Sequence, residues 1–414
     1  MPCAALVLAL TGCVTPHVMT PELADARAVV PLAEPANDDW PMYRDDVERT
    51  GFAEGSVVGS HVETLWTMPA FNTTAYGAVK GSPSIVGDML YAGTDTGRFV
   101  AAHVADGSIV WELSVPGTTH GIHGSPAIVG DTVYIGAYDG TLRALDRFTG
   151  AERWQYALGD QIGSSPAVVP AWAMVLSAHE FVPHGGAIVA IDAHTGQELW
   201  RQPTMANPHS SVAVDVTRGR AFVGDNSGTL YAFDAHTGEA LWRRTFHDAD
   251  RVSIKTTPTV IADLGLVIFG AWSGHVHALD EASGQTRWVH DVGGRMMGST
   301  AYDAARGAIY VGTPRGYLVA LDVHDGHELW SHPVGSRILS SPAISGDGRA
   351  VVFGAENGQL YAVSARDGSR LWSTWIGGRV SGSPSLVGER IYVTTHGGAL
   401  TALRTWSPTT LRGS

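Results

Sequence analysis

The sequence predicts an all-β chain, an eight-bladed β-propeller of four-stranded antiparallel blades closed by an N-terminal strand. Three observations predict it. A tryptophan-ended segment recurs at nearly constant spacing, a Ser-Pro-like pair opens each unit, and the composition suits short strands and tight turns.

The recurring segment reads Ala-x-Asp-x-x-Thr-Gly-x-x-x-Trp. One copy holds Ala144, Asp146, Thr149, Gly150 and Trp154. Others end at Trp200, Trp242, Trp288 and Trp330, and weaker copies end at Trp111 and Trp372, the last with Ser364 in place of Asp. From Trp111 onward the tryptophan steps are 43, 46, 42, 46, 42 and 42 residues. That is the period of a four-stranded blade.

Each unit opens with a short signature. Six openings are Ser82-Pro83, Ser125-Pro126, Ser165-Pro166, Thr257-Pro258, Ser341-Pro342 and Ser383-Pro384. Two use Ser211-Val212 and Ser299-Thr300 instead, which makes eight. After Pro126 the pattern runs apolar strand, turn at Gly130, second strand, turn at Gly140, third strand, turn at Gly150 and a fourth strand ending at Trp154. The gap between blades widens outward, so a large ring is expected at the outer strand. Trp66 closes a strand (62–66) that precedes the first opening, and the last unit (383–403) lacks its own Trp strand. The N-terminal strand is therefore expected to pair onto the final blade and remove the exposed edge.

Composition agrees. Of 414 residues 44% are hydrophobic and only 16% charged, with 50 glycines and 13 tryptophans, a mixture that favours strands over helices. The net charge of −13 repels phosphate backbones, so no nucleic-acid partner is expected. The longest apolar runs are too short for a transmembrane span. Both cysteines, Cys3 and Cys13, lie in the first 13 residues, so the body has no thiol chemistry and no Cys metal site.

The chain divides into a leader at 1–13, a flexible tether at 14–39 and the propeller at 40–414. Ala4–Leu10 is a short apolar run leading to Thr11, Gly12 and Cys13, which resembles a bacterial lipobox with Cys13 lipidated. No Lys or Arg precedes Cys13, which suits a start upstream of Met1. Val14 after the Cys resembles an outer-membrane destination. The tether holds Pro16, Pro21, Pro31 and Pro35. The expected location is the bacterial envelope, periplasm-facing and lipid-anchored.

Candidate site residues come from the segments just before the openings: Lys80, His123, His209, Lys255, Arg295, Arg337 and Arg379, with Asp160 as the one nearby acid. Strand alternation turns them to one side, and five Lys/Arg converging on the axis of an acidic protein suit an anion. Trp272 replaces the usual Asp, Asn or Glu of its turn and offers a stacking platform. Two histidine pairs, His179/His184 and His275/His277, have weak metal spacing and are read as surface features.

The repeat, with the entry Trp40, Pro41, Met42, Tyr43, Arg44, Thr50 and Gly51, resembles the PQQ-repeat (quinoprotein-type) propeller family over residues 40–404. That resemblance implies one of two occupations. In size and leader the chain looks like the outer-membrane assembly lipoproteins of the BamB type, which implies a non-enzymatic scaffold binding an envelope protein, with no cofactor. The alternative is a PQQ-dependent oxidoreductase, or a propeller binding an anion such as PQQ, with Ca²⁺ beside the quinone. An enzyme of that kind uses a Ca²⁺ held by carboxylates, an Asp base and commonly an adjacent cysteine pair, and the body has no cysteine. Where the BamB type carries its docking motifs, this chain has Thr204, Met205, Ala206 and Asn207, and then Ser253, Ile254 and Lys255.

Overall fold

The structure is a computed structural model and describes residues 29–69, 71–72, 81–115, 121–246 and 253–408. It contains eight sheets arranged as blades of four antiparallel strands, as the repeat predicts, and blade 7 gains a short inner strand, Phe52–Ala53, paired parallel to Ala343–Ser345. Blade 2 shows the plan, with strands Ala127–Val129, Thr132–Gly136, Thr141–Asp146 and Glu152–Ala157 running from the channel outward. The inner strands are fully buried because both faces meet neighbouring blades. Blade 8 takes Ser385–Val387, Arg390–Thr394 and Leu400–Trp406 from the C-terminus and its outer strand, His61–Met68, from the N-terminus. The expected closure is thus present.

Two repeated devices hold the ring. At the periphery, each blade's indole N–H donates to a backbone carbonyl of the next segment round: Trp66 to Val104, Trp111 to Arg147, Trp154 to Ala193, Trp200 to Ala235, Trp242 to Glu281, Trp288 to Val323, Trp330 to Ala365 and Trp372 to Gly59, at 2.8–3.3 Å. A β-bulge just before each tryptophan re-aims the ring into the inter-blade gap. The receiving turn must be glycine. A Cβ on Gly238, itself at φ +74°, would sit 2.6 Å from the Trp200 ring.

At the axis, the opening hydroxyls close a second ring. The backbone N–H of Ser82 donates to Ser125 Oγ, and the pattern continues through Ser165, Ser211, Thr257, Ser299, Ser341 and Ser383, which returns to Ser82 Oγ. The eight bonds span 2.8–3.2 Å and all eight residues are buried. The hydroxyl therefore replaces the backbone partner that each innermost strand lacks on its channel side.

The entry segment closes the lower end of the channel. Its carbonyls accept the N–H groups of inner strands one after another: Pro41 from Ile128, Val47 from Val214, Glu48 from Val260, Thr50 from Tyr302 and Gly51 from Ile344. Buried Arg44 donates to the carbonyls of Thr300 and Pro342, and buried Arg49 to those of Val212 and Pro166. Tyr43 Oη reaches Ser341 Oγ at 3.0 Å. Ahead of this plug, Val30 and Leu32 hydrogen-bond to His194 and Pro170, both on blade 3. Cys13 and the rest of the leader lie outside the described residues. Among the described residues no helix is long and apolar enough to cross a membrane.

Candidate functional site

The upper face is built from two tiers. In the segments before the openings, a buried apolar residue (Ile122, Ile162, Ile254, Met296, Ile338 or Val380) packs on a glycine of the preceding blade, Gly93 under Ile122 for instance. The residues on either side of it are turned toward the channel mouth. Above them lie the turns between second and third strands, pinned by backbone bonds from Tyr138 to Gly121, Trp272 to Ser253, Glu356 to Arg337 and His396 to Arg379. The first tier is marked in the sequence by its place before the openings, whereas the second follows no repeat and is not.

Where the predicted residues are described, each has its own partners and they do not form one basic ring. Lys80 lies outside the described residues. His123 Nε2 is 3.1 Å from Asp95 Oδ1, and its ring packs on Tyr138 at 4.2 Å. The His209 ring donates from Nδ1 to Glu180 at 2.7 Å, and Asn207 reaches the other carboxylate oxygen at 3.3 Å. Burial opposes ionisation of Glu180, yet the bond and charge of His209, with Asn207 and Lys255, hold its carboxyl below the usual range. Lys255 and Arg295 lie over the Trp272 ring at 4.6 and 5.2 Å from its centroid, and the indole N–H points to Met297 Sδ. The expected stacking platform is already engaged by two cations. Arg337 Nε lies 3.6 Å from Glu356, and Arg379 is exposed.

Two expectations need correction. Asp160 is not the one nearby acid: Asp95, Glu180 and Glu356 reach the mouth from the upper turns, while Asp160 accepts the N–H of Val182 and braces a loop. His179 is not a surface histidine; strand alternation turns it inward, away from the mouth that Glu180 faces. His179 is fully buried, bonds to the Leu158 carbonyl at 2.9 Å and is pushed down to about 4 by burial. His277 is likewise no surface residue; it is buried between Phe246 and Phe269.

The face is therefore polarised. Among the described residues, the bases that precede the openings on blades 1–4 are histidines held by acids. Around blades 5–8 stand Lys255, Arg295, Arg315, Arg337 and Arg379, with Trp375, Tyr317 and Met297 beside them at 69%, 43% and 42% exposure. An anion suits these cations. A Ca²⁺ beside a quinone does not fit this donor set, because Asp95, Glu180 and Glu356 come from three separate blades and each is engaged by a base. Among the described residues, the three side chains within mutual ligating reach are Asp322, Asp325 and His327, in a lower-face turn remote from this mouth.

Comparisons with known proteins follow the same lines. A family model described as "Outer membrane protein assembly factor BamB" matches residues 56–216, 184–337 and 272–407. No curated protein matches in sequence. Among solved structures, BamB from Moraxella catarrhalis superposes with TM-score 0.63 at 18% identity, covering 83% of this chain and 100% of its own. A europium-containing methanol dehydrogenase gives TM-score 0.75 at 14% identity, covering 89% and 98%. The quinohemoprotein alcohol dehydrogenase of Comamonas testosteroni gives 0.72 at 16%, covering 96% and 84%. These likenesses share the fold across both occupations.

Proposed function

The chain belongs to the family described as outer membrane protein assembly factor BamB, and from that premise we propose that it is a non-enzymatic scaffold that binds another protein in the bacterial envelope. The observation that carries this reading is the composition of the upper face around blades 5–8. Exposed Trp375, Tyr317 and Met297 stand among Arg295, Arg315, Arg337 and Arg379. Arginine, aromatic residues and methionine are the types enriched at the centres of protein interfaces, where a guanidinium fork and a rigid ring give much binding energy for little lost freedom. Among the described residues, the carboxylates at the mouth are each paired with a base and come from separate blades.

The anchor is Cys13. Its replacement, Cys13→Ala, is expected to move the protein from the membrane to the soluble fraction; retention at the membrane would remove lipidation from the account.

A second reading, a quinone-binding propeller, draws on the same cations. Titration of PQQ with and without Ca²⁺ into the protein, followed by tryptophan fluorescence, separates the two. The scaffold reading predicts no saturable change. Saturable quenching below about 10 μM, roughly −7 kcal/mol, abolished by Arg337→Ala, would replace it with the quinone reading.

A further inference from the structure

The lower face carries a groove between blades 8 and 1 that nothing above uses. It is a cavity of about 460 Å³ lined by Leu65, Ile85, Val104, Val387 and Tyr392, with Glu389, Arg390 and Arg404 at its lip. Its floor is the Trp66 docking point: the indole N–H bonds to the Val104 carbonyl, and Arg390 approaches the same oxygen at 3.5 Å.

The repeat supplies a sister groove between blades 2 and 3, in which Val129, Thr132, Tyr134, Trp154 and Ala193 take the places of Val387, Arg390, Tyr392, Trp66 and Val104. There the chain's own Val30–Ala33 lies along the blades. The Val30 carbonyl bonds to His194 at 2.7 Å, Leu32 N–H donates to the Pro170 carbonyl at 3.0 Å, and the Leu32 side chain joins the core. At two other seams larger side chains lie over this place: Arg147 over the blade 1/2 seam, and Trp172, stacked on His236, at the blade 3/4 seam. Between blades 8 and 1 the small Val104 and Leu65, itself 38% exposed, leave the space open.

We propose that the blade 8/1 groove binds an extended segment of a partner protein in which an apolar run is followed by a carboxylate. The sister groove shows how an apolar run is held, since Pro31, Leu32 and Ala33 line it, while Glu34 turns to a separate pocket; the carboxylate is assigned from the lip of the open groove. The lip gives the charge: where the sister groove pairs Arg153 with Asp131, this one has two arginines against one glutamate. An apolar side chain over Trp66 excludes water from the cavity, and the carboxylate then meets Arg390 or Arg404. The assignment is independent of the upper face.

The probe is a fluorescent peptide with the sequence of residues 29–36 of this chain, titrated into the full-length protein by anisotropy. The chain's own copy lines the blade 2/3 groove at high effective concentration but leaves a cavity of about 440 Å³ there, so the groove variants tell which site the added peptide reads. Saturable binding tighter than about 1 mM is expected, weakened at least tenfold (about 1.4 kcal/mol) by Val387→Glu and unchanged by Arg337→Ala. Should Val387→Glu fail to fold, the charge swap decides. Arg404→Glu should weaken this peptide and strengthen one carrying Lys in place of Glu34. No binding at 1 mM, or binding indifferent to both groove variants, would overturn the proposal. So would a concentration-dependent dimer abolished by Val387→Glu, because a second copy's segment would then be the occupant.

Discussion

Glu281 shows how a single side chain ties two blades together. It is buried on blade 5, accepts Arg218 and Arg220 of blade 4 at 3.0 and 2.8 Å, and lies against buried Asp215. Burial, then the hydrogen bond and charge of Asp215, push its carboxyl up to about 7. A folded value above the unfolded one means that the native state holds the proton more tightly. The stabilisation is complete below about pH 4.5 and is lost as pH rises through about 7. Glu48 in the plug is also raised to about 7, first by burial and then by neighbouring acids, so it acts in the same direction. Thermal stability is expected to fall between pH 5 and pH 8, and Glu281→Gln should flatten part of that slope, on the order of 2 kcal/mol. A slope unchanged in the variant would show that the Asp215–Glu281 pair holds no proton. None of this was legible in the sequence, where Glu281 stands in a turn position that other blades fill with Arg147, Ala193, Ala235, Val323 or Ala365.

At the scale of the strand and turn, the legible part was the part that repeats. The Trp step and the eight Ser/Thr openings marked every blade, and Trp66 without an opening of its own marked the closure. What the repeat concealed was the bulge before each tryptophan. It breaks the two-residue alternation and leaves Val110, Leu241, Leu329 and Leu371 exposed, so those apolar residues are a consequence of aiming the ring. The docking also varies in depth. Trp200 is fully buried, whereas Trp242 is only partly so. Trp200→Ala is expected to cost about 3–5 kcal/mol, and Trp242→Ala measurably less, by denaturant unfolding. Equal losses would mean that the peripheral indoles act through the hydrogen bond alone.

For the whole molecule, the channel is closed below by residues 40–51 and ordered above by cross-blade charge pairs. Position relative to the openings made the basic residues just before them legible in the sequence, because it fixes which way they face. It did not show the division of the upper face, because the deciding acids come from turns whose residues follow no repeat: Asp95, Tyr138, Glu180, Asn226, Trp272, Pro314, Glu356 and His396. With histidine–acid pairs on one side and arginines with exposed aromatics on the other, association should be directional. It should also weaken with salt.

The measurement that tests this most directly is site-specific photocrosslinking in intact envelopes, with the crosslinking residue placed at Trp375 on the upper face or at Phe148, which is exposed in a lower-face turn. The account predicts one discrete protein adduct from position 375, absent from position 148 and lost when Arg337 and Arg379 are both changed to Glu. Adducts of equal strength from the two positions, or an adduct from 375 that survives the charge reversal, would contradict it.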